Sequence, residues 1–140
     1  MIYGFATLVE NRDENTGGHI KRTSVYAELL ATRLKEKGIY SDIITDEFIK
    51  NLAMVAPLHD IGKIGIPDRV LLKEGRLDDE EWQLMKRHPQ IGADILQKSA
   101  KLSRISAIIL HHHERYDGKG YPFGAKGEEI PLGARIIAVC

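Results

Sequence analysis

At 140 residues the chain has the length of one domain, and a composition 43% hydrophobic and 29% charged is that of a globular protein with a core of its own. Twenty basic and twenty acidic residues cancel, which excludes a global field drawing it to a nucleic-acid polymer or an anionic membrane, so any phosphate recognition must be local. The single cysteine, Cys140, excludes a disulfide framework and a cysteine-rich zinc site and suits a reducing cytoplasm; no apolar run is long enough to span a bilayer.

Glycine and proline divide the sequence into helix-sized pieces, and clear period-two alternation is absent, so an all-α domain is expected. Residues 1–12 read as a short apolar helix running into a polar turn over 13–18. Ile20, Thr23, Ala27, Leu30, Ala31 and Leu34 then recur at helical spacing, with Gly38 placed as a C-terminal cap. Thr45, followed by Asp46 and Glu47, opens a helix that carries Phe48, Leu52, Val55 and Ala56 inward and arrives at His59–Asp60. The stretch IGKIGIPDRVLLKEGR reads as a loop. Asp78 with Glu81 forms a capping-box pattern for a helix through Trp82 and Met85, both assigned to the core, while Lys86–Arg87 reads as a solvated face. Pro89 suits the first turn of the next helix, Ser103 to His113 reads as another, and residues 114–133 as a long glycine-bearing loop of the kind that is usually functional. The final ARIIAVC stops inside an apolar run without a capping residue, so the segment reads as cut within its domain.

Six histidines are spread through this pattern, none in a Cys/His spacing. A single histidine is most simply a satisfied core or surface residue, and His111, first of a run of three, keeps that reading as a solvent-facing ring. The others have telling neighbours: His19 in TGGH, His59 in HDIGK, His88 in KRHP, and His112–His113 in HHHERYDGKGYP. Neutral imidazole is a transition-metal ligand, and Asp60 has two oxygens with which to bridge two ions. Both His59–Asp60 and His112–His113 close apolar helical stretches and open onto glycine-bearing loops, where ligands at the mouth of a bundle sit. Glu114 and Asp117 are placed to orient imidazoles, and Arg115 to pair with one of those acids.

HDIGKIGIPD, RHPQIGADIL and HHERYDGKGYP closely resemble the HD-GYP family, a branch of the HD superfamily of metal-dependent phosphohydrolases, and TGGHIKRT fits its upstream histidine motif. The resemblance covers essentially the whole chain. It implies an HD-type helical bundle that hydrolyses cyclic di-GMP to the linear dinucleotide pGpG and onward to GMP. Carried over by position, it makes His19, His59 and Asp60 metal ligands, with His88, His112 and His113 completing the second ion's shell. Two divalent ions are implied, and the His and carboxylate donors favour iron or manganese without excluding zinc, nickel or cobalt; held about 3.5–4 Å apart, such a pair clamps a phosphate and activates a bridging water. Asp60 and Lys63 are the implied catalytic residues, and Lys63, Gly120 and Tyr121 the implied substrate contacts. Residues 1–140 match a partial domain of this family, lacking its C-terminal helices and its last ligand aspartate. Asn15 stands where members with a third metal carry glutamate, and Glu14 points elsewhere, so two ions are expected rather than three. A rival reading is an inactive module of the same type that contacts signalling partners such as a diguanylate cyclase, and members often follow an N-terminal regulatory domain.

Overall fold

The helices start and stop where local chemistry satisfies their end groups. In the computed structural model, which describes residues 2–12 and 19–140, helix α1 spans Ile2–Arg12 and α2 His19–Glu36. The expected polar turn over 13–18, with Glu14 and Asn15, lies outside the described residues. Gly38 ends α2 at φ +68°, its amide donating to Lys35 O and the Ile39 amide to Leu34 O, the paired bonds of a Schellman cap. Helix α3, Asp46–Val55, is capped by the Thr45 hydroxyl, which accepts from the Phe48 amide at 3.1 Å. The capping box forms at α5, Asp79–Met85: Asp78 accepts from the Glu81 amide and Glu81 from the Asp78 amide, each at 2.8 Å.

Three stretches differ from the sequence reading. Residues 61–76 are not all loop: a 3-10 turn runs Ile61–Gly65 and a short helix α4 spans Asp68–Leu71. After α6, His88–Gln97, the expected helix from Ser103 splits into a 3-10 turn, Ser103–Ile105, and α7, Ser106–Leu110, so that His111–His113 lie in a turn. The physical reason is local. His112 Nδ1 donates at 2.6 Å to Ile109 O, the carbonyl that a continuing helix would have offered to the His113 amide. The glycine-rich loop also ends sooner than expected, with a 3-10 turn at Gly127–Glu129 and α8 beginning at Leu132.

No strand occurs among the described residues, and the all-α expectation holds. Ala27 and Ala31 of α2, Leu52 and Val55 of α3, Leu96 of α6, Ile109 of α7 and Ile136 of α8 fill the main core. A smaller cluster of Ile66, Val70 and Leu71, with Leu84, Met85 and Ile91 against it, anchors the 61–71 segment. Close approach of that segment to α6 depends on Gly62, where a Cβ would fall 1.8 Å from His88 O. The core therefore fixes three chain breaks beside one another, at 59–62, at 85–88 and at 110–113.

Candidate metal centre

Each of these breaks delivers an imidazole whose Nδ1 is fixed on a backbone carbonyl. His59 Nδ1 lies 2.7 Å from Ala56 O, His88 Nδ1 2.8 Å from Met85 O, and His112 Nδ1 2.6 Å from Ile109 O. A carbonyl only accepts, so Nδ1 carries the proton in all three, and Nε2 of the neutral ring presents a lone pair. The partner is each time the carbonyl three residues back, available because the helix is ending or has just ended. Glu114 and Asp117 do not orient these rings, contrary to expectation. Asp117 instead pairs with Arg115 at 2.7 Å, as the sequence suggested for the arginine, and accepts from the Lys119 amide. Glu114, buried, accepts from the amides of Phe123 at 2.7 Å and Ala125 at 3.0 Å, pinning the loop after Tyr121–Pro122.

Asp60 stands at the centre with its two oxygens facing different groups. Oδ1 lies 3.4 Å from His88 Nε2 and 3.7 Å from His112 Nε2, and Oδ2 lies 3.3 Å from His59 Nε2 and 3.1 Å from Lys63 Nζ. His113 Nε2 approaches His88 Nε2 at 3.1 Å, and ligand atoms of Asp60, His88, His112 and His113 all lie within 4.8 Å of one another. His19 joins from the start of α2, its ring 5.7 Å from that of His59. All six candidate ligands thus converge, with His59, His88, His112 and His113 around the Asp60 carboxylate and His19 beside His59. The donor chemistry fits a cation: with Nδ1 committed to carbonyls, the Nε2 lone pairs of His88 and His112 face each other at 3.4 Å and cannot bond one another.

Electrostatics follow from this crowding. Burial raises the Asp60 pKa, but contacts with His112, His59 and His88 outweigh it and hold the carboxyl well below its usual range. Burial opposes the charged form of His59 too, yet its contact with Asp60 raises its pKa overall. Burial lowers that of His112, and burial followed by the neighbouring His112 and His88 drives His113 down to about 3, so that His113 is neutral at ordinary pH.

Around the cluster, Lys63 is fixed by the 3-10 turn, its amide donating to Asp60 O at 3.0 Å. That turn is held by a residue the sequence reading passed over. Arg12, at the end of α1, donates to the carbonyls of Lys63, Ile64 and Ile66 and to the Asp68 carboxylate at 2.6–3.2 Å. Nothing in periodicity marks a contact more than fifty positions away along the chain. Tyr121 stacks on His113 at 4.8 Å between ring centroids, and burial with the nearby Asp60 charge pushes its phenol up to about 12. Gly120 allows the loop to return here: a Cβ would meet His113 O and Arg115 N at 2.4 Å. Trp82, expected in the core, is 42% exposed and meets Tyr121 edge-on at 5.7 Å. Met85 does pack inward, in the smaller cluster. His111 does not face solvent as expected; it is half-buried against Phe123, at 5.4 Å.

The helical fold and the His/Asp donor set define a class, a helical domain with a divalent-metal type of site built on one aspartate. More particularly, the chain belongs to the HD-domain family, whose model matches residues 5–140. It is 46% identical over 99% of its length to a cyclic di-GMP phosphodiesterase of Vibrio cholerae, covering 30% of that protein. It is 47% identical over 96% of its length to the cyclic di-GMP phosphodiesterase response regulator RpfG of Xanthomonas campestris, covering 34% of it. A 3'3'-cGAMP-specific phosphodiesterase 2 of Vibrio cholerae is 38% identical over 99% of the chain, covering 26% of that relative. The chain thus spans about a third of the length of the curated relatives it matches. No helix among the described residues is long and apolar enough to cross a membrane.

Proposed function

We propose that this domain holds two divalent cations against Asp60 and hydrolyses a phosphodiester bond of cyclic di-GMP, giving pGpG and, after a second cleavage, GMP. The observation that carries the reading is the division of Asp60, with Oδ1 toward His88 and His112 and Oδ2 toward His59. On this reading His88, His112 and His113 would hold one cation and His59 and His19 the other, with Asp60 shared between the two sets. Imidazole with carboxylate suits iron or manganese. Such cations, when bound, supply Lewis acidity toward a phosphate oxygen and toward an attacking water.

The chain's own groups bind and orient. Lys63, beside Asp60 Oδ2, brings an ammonium to neutralise a non-bridging phosphate oxygen. The Tyr121 phenol stays protonated over the working range and is a hydrogen-bond donor at the rim. Gly120 lets backbone come close to a ligand, and Glu114 holds the next turn of that loop in place. Greater likeness to the relatives named for cyclic di-GMP than to the one named for 3'3'-cGAMP supports the former as substrate.

The test is incubation with Mn²⁺ or Fe²⁺ and cyclic di-GMP, with products separated chromatographically, beside Asp60→Ala. Turnover in the wild type that is lost in the variant together with bound metal is the expected result. Equal turnover in both would remove the metal mechanism, and ligand binding without turnover would favour the signalling module.

A further inference from the structure

Beside the His/Asp cluster lies a cleft of about 470 Å³ whose wall includes Trp82, Lys86, His112, His113, Lys119 and Tyr121. Its aromatic groups form a series. The His113 ring stacks on Tyr121, and the edge of that system meets Trp82, with centroids 4.8 and 5.7 Å apart. Tyr121 is therefore engaged by His113 on one side and Trp82 on another, and the indole, 42% exposed, is the ring with surface left to offer. A large exposed indole on a short helix otherwise studded with Asp79, Glu80 and Glu81 has no role in the core, which at this place is made by Leu84 and Met85. Lys86 follows Trp82 by four residues, so both side chains lie on one face of that helix end and line the same cleft.

An aromatic face with a cation one turn away is the chemistry that recognises a nucleobase joined to a phosphate: every base has a π-face that stacks on an aromatic ring, and an ammonium meets the phosphate as a point charge. The position restricts which nucleotide this is. One end of the cleft is the imidazole pair His112–His113, where the reacting phosphate sits on the proposed function, and Trp82 is reached from there across the single ring of Tyr121. We infer that Trp82 is the stacking platform for a purine base of the cyclic dinucleotide, with Lys86 meeting the phosphate that is not being cleaved. This rests on the proposed activity for the identity of the ligand, though not for the existence of the platform. Purines fit better than pyrimidines because their larger π-face covers more of the indole.

Trp82 is the one tryptophan of the chain, so its fluorescence reports on this platform and no other position. Titrating the full chain, loaded with Mn²⁺ and separately treated with chelator, with pGpG and with cyclic di-GMP should quench the emission saturably. The same cyclic phosphodiester ring lacking both bases should leave it unchanged. In turnover, Trp82→Ala should lower the ratio of kcat/KM for cyclic di-GMP to that for the base-free ring by about 5- to 150-fold, the range for loss of one base–aromatic stack. Trp82→Phe should recover most of that ratio. Absence of saturable quenching by either dinucleotide, or equal loss on both substrates in Trp82→Ala, overturns the platform. Were the wild type to cleave neither substrate, the proposed activity would fail while the quenching still decides the platform.

Discussion

Gly62→Ala offers a severe test of how the centre is held together. A Cβ on residue 62 would lie 1.8 Å from His88 O, 2.7 Å from His88 C and 2.6 Å from Gly92 N. All three are backbone atoms of α6, so no side chain can swing away, and reaching ordinary contact at 3.4 Å requires the 3-10 turn and α6 to part by more than an ångström. Overpacking typically costs about 1–3 kcal/mol, and a clash with rigid backbone belongs at about 3 kcal/mol. For a domain of this size that corresponds to a melting temperature lower by roughly 10 °C. The same displacement carries His88 Nε2 away from Asp60 Oδ1, now 3.4 Å apart, although metal donors tolerate shifts of only about 0.2 Å. Mn²⁺ affinity should therefore fall by about tenfold or more. Thermal melting of chelator-treated protein measures the first effect and isothermal titration with Mn²⁺ the second. Gly4→Ala in α1 is the control, since nothing lies within 4 Å of its added Cβ, and it should stabilise by about 0.5–1 kcal/mol. A Gly62→Ala protein that melts within about 2 °C of wild type and binds Mn²⁺ as tightly would refute the account of this crossing.

Other perturbations separate the remaining supports. Arg12→Ala removes hydrogen bonds to three carbonyls and the Asp68 carboxylate and should destabilise by about 2 kcal/mol; denaturant unfolding checks this, and amide exchange should quicken across residues 63–68. Glu114→Gln leaves one of the Phe123 and Ala125 amides without its acceptor, at a cost of about 1–3 kcal/mol; faster exchange confined to residues 121–125, with metal content retained, is the expected pattern. Asp117, paired with Arg115 and the Lys119 amide, is held down to about 2 from 3.8. Its contribution is complete above 3.8 and is lost as pH falls toward 2, so Arg115→Ala should move its NMR titration midpoint upward. His59 is raised above 6.5, so the stability it adds to chelator-treated protein is full below 6.5 and disappears as pH rises through the higher folded value. A cation must displace that proton, and Mn²⁺ affinity should climb over the same interval, with proton release visible as buffer-dependent heats.

The features legible in the sequence are those set by short-range chemistry. Thr45, the Asp78–Glu81 box and Gly38 define helix ends through hydrogen bonds within a few residues, and each formed where it was read. Residue type and neighbours marked His19, His59, His88, His112 and His113 as candidates, the family resemblance grouped them with Asp60 as one ligand set, and the structure brings them together. What escaped was set by tertiary packing. The 61–71 segment carries loop-like glycines and a proline, yet Arg12 and the Ile66–Val70–Leu71 cluster fold it into turns. Trp82 has the spacing of a core residue, but Leu84 and Met85 take the inward positions on that helix and leave the indole outside.

The orientation of the imidazoles shows why helix ends, rather than helix middles, carry this site. Inside an α-helix the carbonyl three residues back lies beside the one that serves the ladder, and both are occupied or shielded. At Ala56, Met85 and Ile109 the i to i+4 ladder lapses, and each carbonyl takes an Nδ1 proton, at Ala56 and Ile109 beside the amide of the same histidine. The bond that ends the helix is thus the bond that aims Nε2 at Asp60, and one interaction sets both the backbone path and the tautomer. A histidine moved a single residue along any of these segments would keep its chemistry but lose that acceptor. Its ring would then be free to rotate, and the convergence on Asp60 would depend on the cation alone. Spacing relative to the helix end, more than the histidine itself, is what this fold supplies to its metal centre.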